Sequence, residues 1–304
     1  MSDASPLLPD PHALRAHLSE AIRLIEQEMA HGRSSSSWAG GHGLDLSFVT
    51  DRSCGGELRV ILGPARAGKT ALAATLVSRL IGEDSSQGVA WFSLQESSPR
   101  CALRLLSHAA CLPLERIMAG AVSTRRDLQQ LSEAITGLEK QPVFIDDASP
   151  QSVLALRSRF LDWEEVSSQR LILIDPVEAL MDHQGNLWGS SSKASKDITN
   201  ALRRLADELD VLVVCFAGTP AESAAACEPL SLDGLPESFS PLVAEADTVL
   251  FLKTRSHDPA DHVAAATLHS LKLTDACAPA ITQLLFRPDL LRFETIKGIF
   301  EPAR

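Results

Sequence analysis

A chain of 304 residues that is 45% hydrophobic, with 17 glycines and 17 prolines, can bury a full core and reads as soluble and globular rather than fibrous or low-complexity. It has no run of 18 apolar residues, and its start, MSDASPLLPDPH, lacks a basic stretch followed by an apolar one. Neither a membrane span nor a signal peptide is indicated, and a cytoplasmic protein is expected. The net charge of -11 argues against a surface that coats nucleic acid but leaves room for a small basic lining in a pore or groove.

Residues 11–31 place Leu14, Leu18, Ile22, Leu24 and Ile25 near one face at helical spacing with charges opposite, which predicts an amphipathic helix. The stretch that follows, GRSSSSWAGGHG, has linker composition. Two readings stand open: a tethered helix that docks on a neighbouring copy, or a helix that covers its own core. From Glu57 onward short apolar runs alternate with helical patterns. In order these are LRVILG, a helix from Lys69 to about Ile81, VAWFSL, a helix near Arg100 to Ala110, PVFID, LILID, a helix near Lys193 to Leu209, and VLVVCFAG. Runs that are continuously rather than alternately hydrophobic predict strands buried on both faces, hence a mainly parallel sheet covered by helices. TVLFLK, HVAAATLHSLKL, AITQLLF and LLRFET then follow with little between them, which predicts an antiparallel C-terminal extension.

Gly63-Pro64-Ala65-Arg66-Ala67-Gly68-Lys69-Thr70 fits G-x-x-x-x-G-K-[ST] and sits between an apolar strand and an amphipathic helix, the context that a phosphate-binding loop requires. The glycines let the backbone curl so that its N–H groups and the helix N-terminus face phosphate oxygens. Lys69 is expected to reach the β and γ phosphates and Thr70 to join a Mg²⁺ shell, which makes a nucleoside triphosphate, ATP with Mg²⁺, the expected ligand. LILID ends in Asp175, the form of a Walker B carboxylate that holds Mg²⁺. Asp146 and Asp147 nearly imitate it. Glu178 is a possible second carboxylate near the metal, and a helix-start Glu is the simpler account. Cys54, Cys101, Cys111, Cys215, Cys227 and Cys277 form no C-x-x-C pair and read as buried thiols. His257 and His262, in a polar loop, read as surface residues.

From about Leu44 to Thr295 the chain resembles the RecA-like motor domain of DnaB-type hexameric replicative helicases. The blocks that carry the resemblance are GGELRVILGPARAGKTALA, VAWFSLQES with Arg104 downstream, PVFIDDAS, LILIDP, LVVCFAG, LPESFSPLVAEADTVLFL and LRFET, in that order. The resemblance implies a RecA-like P-loop NTPase domain over 44–304, preceded over 1–43 by a linker helix that docks on the next subunit, and none of these residues resembles the family's N-terminal helical domain. It also implies a ring, a hexamer, and single-stranded DNA as partner. Lys193 and Lys196, beyond Asp175, fall where the family places a DNA-tracking loop, and ordinary solvated lysines are an equal reading. Trp188 could stack on a base or anchor the loop by packing.

Three catalytic positions depart from the pattern that the resemblance supplies. The family's water-activating Glu is matched by Gln95, with Glu96 one residue later. A Gln can orient water but cannot accept its proton. The sensing Gln at the end of VLVVCFA is matched by Gly218. In the K-x-R segment that reaches a neighbour's site, Lys272 is kept and the arginine finger is matched by Thr274. Three functional readings follow: a ring-forming DNA-associated ATPase of replication with weakened hydrolysis, a degenerate nucleotide-gated scaffold, and a KaiC-like signalling ATPase that would lack the PESFSPLVAEAD and RFET blocks.

Overall fold

The computed structural model describes residues 56–83, 88–149, 151–163, 169–220, 235–255, 263–273 and 281–295, with Leu14, Leu18, Val49 and Leu232 as single positions. In chain order the elements are β1 (Glu57–Pro64), α1 (Lys69–Glu83), β2 (Gly88–Ser93), α2 (Ser98–Ala110), α3 (Leu114–Met118), α4 (Arg125–Leu138), β3 (Val143–Asp146), β4 (Gln151–Ser152) and α5 (Val153–Asp162). They continue with β5 (Gln169–Asp175), β6 (Leu180–Met181), α6 (Ser192–Leu209), β7 (Leu212–Thr219), α7 (Ser240–Glu245), β8 (Thr248–Thr254), β9 (Ala264–Leu273), β10 (Ile281–Arg287) and β11 (Arg292–Thr295).

The large sheet has the order β11-β10-β9-β8-β1-β7-β5-β2-β3. β8, β1, β7, β5, β2 and β3 run parallel, and β9, β10 and β11 add an antiparallel flank. TVLFLK, expected as part of the antiparallel extension, is the seam between the two halves: β8 pairs parallel with β1 and antiparallel with β9. Each central strand is apolar on both faces because each face is covered. Leu58, Val60, Leu62, Ala90 and Phe92 join α5, α6 and α7 in one apolar layer, while Ile61, Val89 and Trp91 join α1, α2 and α4 in the other.

Of the N-terminal helix, Leu14 and Leu18 are described; both are helical, four residues apart and fully buried in the layer that α1 and α2 share with the antiparallel strands. These two side chains therefore cover this chain's own core, the second of the two readings. The rest of residues 1–43, with the docking expectation placed on them, lies outside the described residues apart from these two positions. His257, His262, Cys54, Cys227 and Cys277 also lie outside them. Cys101 and Cys215 are buried free thiols, and Cys111 is half-buried and free.

His108 on α2 is buried between α1 and the β10–β11 turn. Its Nε2 donates to the Leu291 carbonyl at 3.1 Å, which leaves Nδ1 to accept from the Ser78 hydroxyl at 3.0 Å. Burial pushes its pKa down to about 3. A folded value below the unfolded one means that stability is full above about pH 6.5 and falls as acid protonates the unfolded state first, by about 1.4 kcal/mol per pH unit down to the folded value. Urea melts at pH 7 and pH 5 should show His108→Gln losing about 2 kcal/mol less than wild type over that interval. Equal losses would mean that this imidazole is not held neutral.

Candidate functional site

The site begins where β1 runs out. A methyl group at Gly63 would lie 2.9 Å from the Leu252 carbonyl of β8, so the strand end accepts only glycine at this approach. Gly68 has φ 91, and a methyl group there would also meet the Phe293 ring at 3.0 Å. The loop between them is tied down by Ala67 N–H on the Pro64 carbonyl at 3.2 Å and by the Thr254 hydroxyl on the Ala67 carbonyl at 2.7 Å. The first bond of α1 runs from Leu72 N–H to the Gly68 carbonyl at 2.8 Å, so the amides of its first turn are free of intrahelical acceptors and available to an anion.

Lys69 donates to the Gly63 and Pro64 carbonyls, both at 2.9 Å. Burial lowers its pKa, and the nearby Glu178 and Asp175 carboxylates oppose that shift. Asp175, at the end of β5, is buried and accepts the Thr70 hydroxyl. Burial raises its pKa, against the pull of Thr70 and Lys69. Its backbone is fixed by Leu94 N–H on its carbonyl at 2.7 Å. A buried carboxylate bonded to a hydroxyl beside a triphosphate-sized cleft suits a Mg²⁺ ion, which takes few protein oxygens and completes its shell with phosphate and water.

Asp146 and Asp147 are engaged elsewhere. Asp146 pairs with Arg159 at 2.5 Å and accepts Ala148 N–H, and Asp147 accepts the Ser98 amide at the start of α2 at 2.8 Å. Asp175→Asn should therefore impair Mg²⁺-dependent nucleotide binding, whereas Asp147→Asn, which keeps an acceptor for Ser98, should leave it near wild type. Titrating nucleotide with and without Mg²⁺ separates the two, and the reverse pattern would move the metal site to β3.

A cleft of about 1020 Å³ opens over this loop, lined among others by Arg66, Lys69, Thr70, Gln95, Asp175 and Glu178. Gln95 is exposed on its wall. Glu96 turns away into a two-point ion pair with Arg104 at 2.7 and 2.9 Å and a contact with Arg100 at 3.1 Å, and it does not line the cleft, although Arg104 does. Glu178, read from sequence as a helix-start acid, stands in the first turn of a short 3-10 helix, Val177–Ala179. The residue, however, lines the cleft, and its carboxylate accepts the Gly218 amide. Burial raises its pKa, which the Gly218 bond and Lys69 partly offset.

Trp188 is buried, its ring 6.2 Å from that of Phe239, and it lines the cleft, so it anchors its loop by packing. Part of that loop is closed by a local turn, in which the Asp182 carboxylate accepts Gln184 N–H, Asn186 N–H and the Asn186 side-chain amide at 2.8 to 2.9 Å. Lys193 and Lys196 are exposed in the first two turns of α6, away from the cleft lining. Lys272 donates to the Val243 and Ala244 carbonyls at the end of α7, at 2.9 and 2.8 Å. Thr274 lies outside the described residues.

Residues 44–294 match the family model described as DnaB-like helicase C terminal domain. The chain is similar to the Replicative DNA helicase DnaB of Synechocystis sp., 28% identical over 211 residues, covering 68% of this chain and 24% of that protein. To the Replicative DNA helicase DnaB of Geobacillus stearothermophilus it is 24% identical over 285 residues, covering 91% of this chain and 61% of that one. These curated relatives are thus considerably longer than the part that matches. Among solved structures, the ATPase Domain of G40P superposes with a TM-score of 0.72 at 21% identity, covering 92% of this chain and 99% of that one. A DnaB-like replicative helicase solved with attention to its interactions with primase gives 0.71 at 21%, covering 92% and 67%. At such identity both likenesses speak to the fold, a RecA-like sheet.

Proposed function

The chain belongs to the family of DnaB-like helicase C-terminal domains, and from that premise we propose that it binds ATP with Mg²⁺ in the Gly63–Thr70 cleft and hydrolyses it as a ring-forming, DNA-associated ATPase of replication in the cytoplasm. The observation that carries the reading is the convergence of Lys69, Thr70 and Asp175 on one cleft, with the Thr70 hydroxyl already on the Asp175 carboxylate. In that cleft Lys69 and the first amides of α1 bind the phosphates, Thr70 and Asp175 hold the Mg²⁺, and Phe286, Pro288 and Leu291 form an apolar wall for the base. The bound metal would neutralise charge on the β and γ phosphates. In a six-membered ring, Lys272 and Thr274 would face the neighbouring subunit's nucleotide, and Lys193 and Lys196 would face single-stranded DNA.

A second reading, the nucleotide-gated scaffold, is favoured by one specific observation: an amide, Gln95, occupies the wall from which a base would act. Steady-state phosphate release with and without single-stranded DNA decides between them. DNA-stimulated turnover supports the motor. Tight Mg²⁺-ATP binding with no turnover under either condition supports the scaffold. Family membership weighs against the KaiC-like signalling reading.

A further inference from the structure

Among the described residues that line the cleft there are two carboxylates, Asp175 and Glu178. Asp175 is engaged by Thr70. Glu178 has one oxygen spare: Oε1 accepts the Gly218 amide, while Oε2 is buried without a hydrogen-bond partner among the described residues. A methyl group at Gly218 would lie 3.3 Å from Glu178 Oε1 and 3.8 Å from Lys69 Nζ, so this carboxylate and the phosphate-binding ammonium flank one small volume. Glycine at 218 is what leaves that volume to Glu178. A buried carboxylate oxygen with no donor costs free energy, and such costs are concentrated at sites of chemistry.

We propose that Glu178 is the general base of ATP hydrolysis in this chain, in place of the proton acceptor that Gln95 cannot be. The proposal rests on the reading of the cleft as an ATPase site. The oxygen of water bonds to the γ phosphorus as the bond from that phosphorus to the β–γ bridging oxygen breaks. The electron pair of the broken bond leaves on the terminal oxygen of ADP, and the water proton passes to the Glu178 carboxylate, from which it is released to solvent. Gln95, which lines the same cleft, orients the water through its amide. Burial prepares the carboxylate for this task by raising its affinity for a proton. The altered Gln95 and Gly218 and the position of Glu178 are then one rearrangement, in which the base has moved from the β2 wall to the segment after β5.

The test compares the full chain, Glu178→Gln and Glu178→Gln with Gln95→Glu. The measurements are affinity for a fluorescent methylanthraniloyl-ATP with Mg²⁺, phosphate release, and the identity of the nucleotide that stays bound through gel filtration. Glu178→Gln keeps an acceptor for the Gly218 amide, so a purely structural role would be preserved. The expected result is wild-type affinity, turnover lower by about 10² to 10⁴, and bound nucleotide recovered as ATP instead of ADP. Adding Gln95→Glu should restore turnover from the other wall. Wild-type turnover in Glu178→Gln overturns the proposal, as does loss of affinity in that variant, which would make Glu178 part of nucleotide binding. A wild-type chain that binds ATP and does not turn it over also overturns it, with the binding site intact. A wild-type chain that does not bind the probe overturns the reading of the cleft itself.

Discussion

Lys69→Ala is expected to weaken Mg²⁺-ATP binding by at least about a hundredfold, close to 2.7 kcal/mol, the size of one charge-assisted contact to phosphate lost from a buried site. The ammonium is held at the loop by two carbonyls, Gly63 and Pro64, so it is already where a phosphate oxygen would meet it and little ordering remains to be done on binding. Its removal has a second cost. Asp175 and Glu178 would face an incoming triphosphate without the cation that now tempers them. Calorimetry on the two proteins measures the effect, and an unchanged affinity would place the nucleotide elsewhere. Lys193→Ala, exposed on α6, serves as the control that should not change it.

Gly218→Gln, which gives this chain the sensing residue that the resemblance implies at that place, should lower turnover at least about tenfold instead of raising it. The side chain would have to start 3.3 Å from Glu178 Oε1 and 3.8 Å from Lys69 Nζ, and the amide beyond it would displace one or both. Moving Glu178 forfeits its bond to the Gly218 amide and its place beside Lys69. Phosphate release measured at saturating ATP reports the loss. A gain in rate would show that the space over Gly218 is a deficit that a sensing side chain fills, and that Glu178 does not need its present position.

What the sequence disclosed depended on how locally each feature is encoded. The phosphate loop is eight consecutive residues whose spacing carries its own geometry, and Asp175 is marked by the apolar strand that it ends. The parallel sheet is legible because both faces of its strands are covered, which removes alternation from LRVILG, VAWFSL and LILID. Glu178 was hidden for a physical reason: an acid in the first turn of a helix is what the helix dipole favours, so its presence there calls for no further account. Its true neighbour is set by the pairing of β5 with β7, which stands Ile174 beside Cys215 and so brings the short helix after Asp175 to the end of β7, where Glu178 meets the Gly218 amide. The same holds for Glu96, whose partner Arg104 lies two turns along the next helix, and for β8, whose parallel mate precedes it by nearly the whole domain.

The supports of the phosphate loop come from the far end of the domain: Leu252 and Thr254 of β8 bear on Gly63 and Ala67, and Phe293 of β11 lies under Gly68. The strand that carries the loop is paired with β7 on one side and β8 on the other. During synthesis, at about 5 to 20 residues per second, β1 therefore leaves the ribosome with neither neighbour made and waits on the order of tens of seconds for both. It is an apolar strand with two open edges for that interval, a natural client for a chaperone. Nucleotide is poorly placed to act as an early folding ligand, because the residues of β8 and β11 that bear on its loop are made late. For the same reason a chain that stopped after β7 would keep all eight residues of the loop and lack Leu252, Thr254 and Phe293, which bear on it.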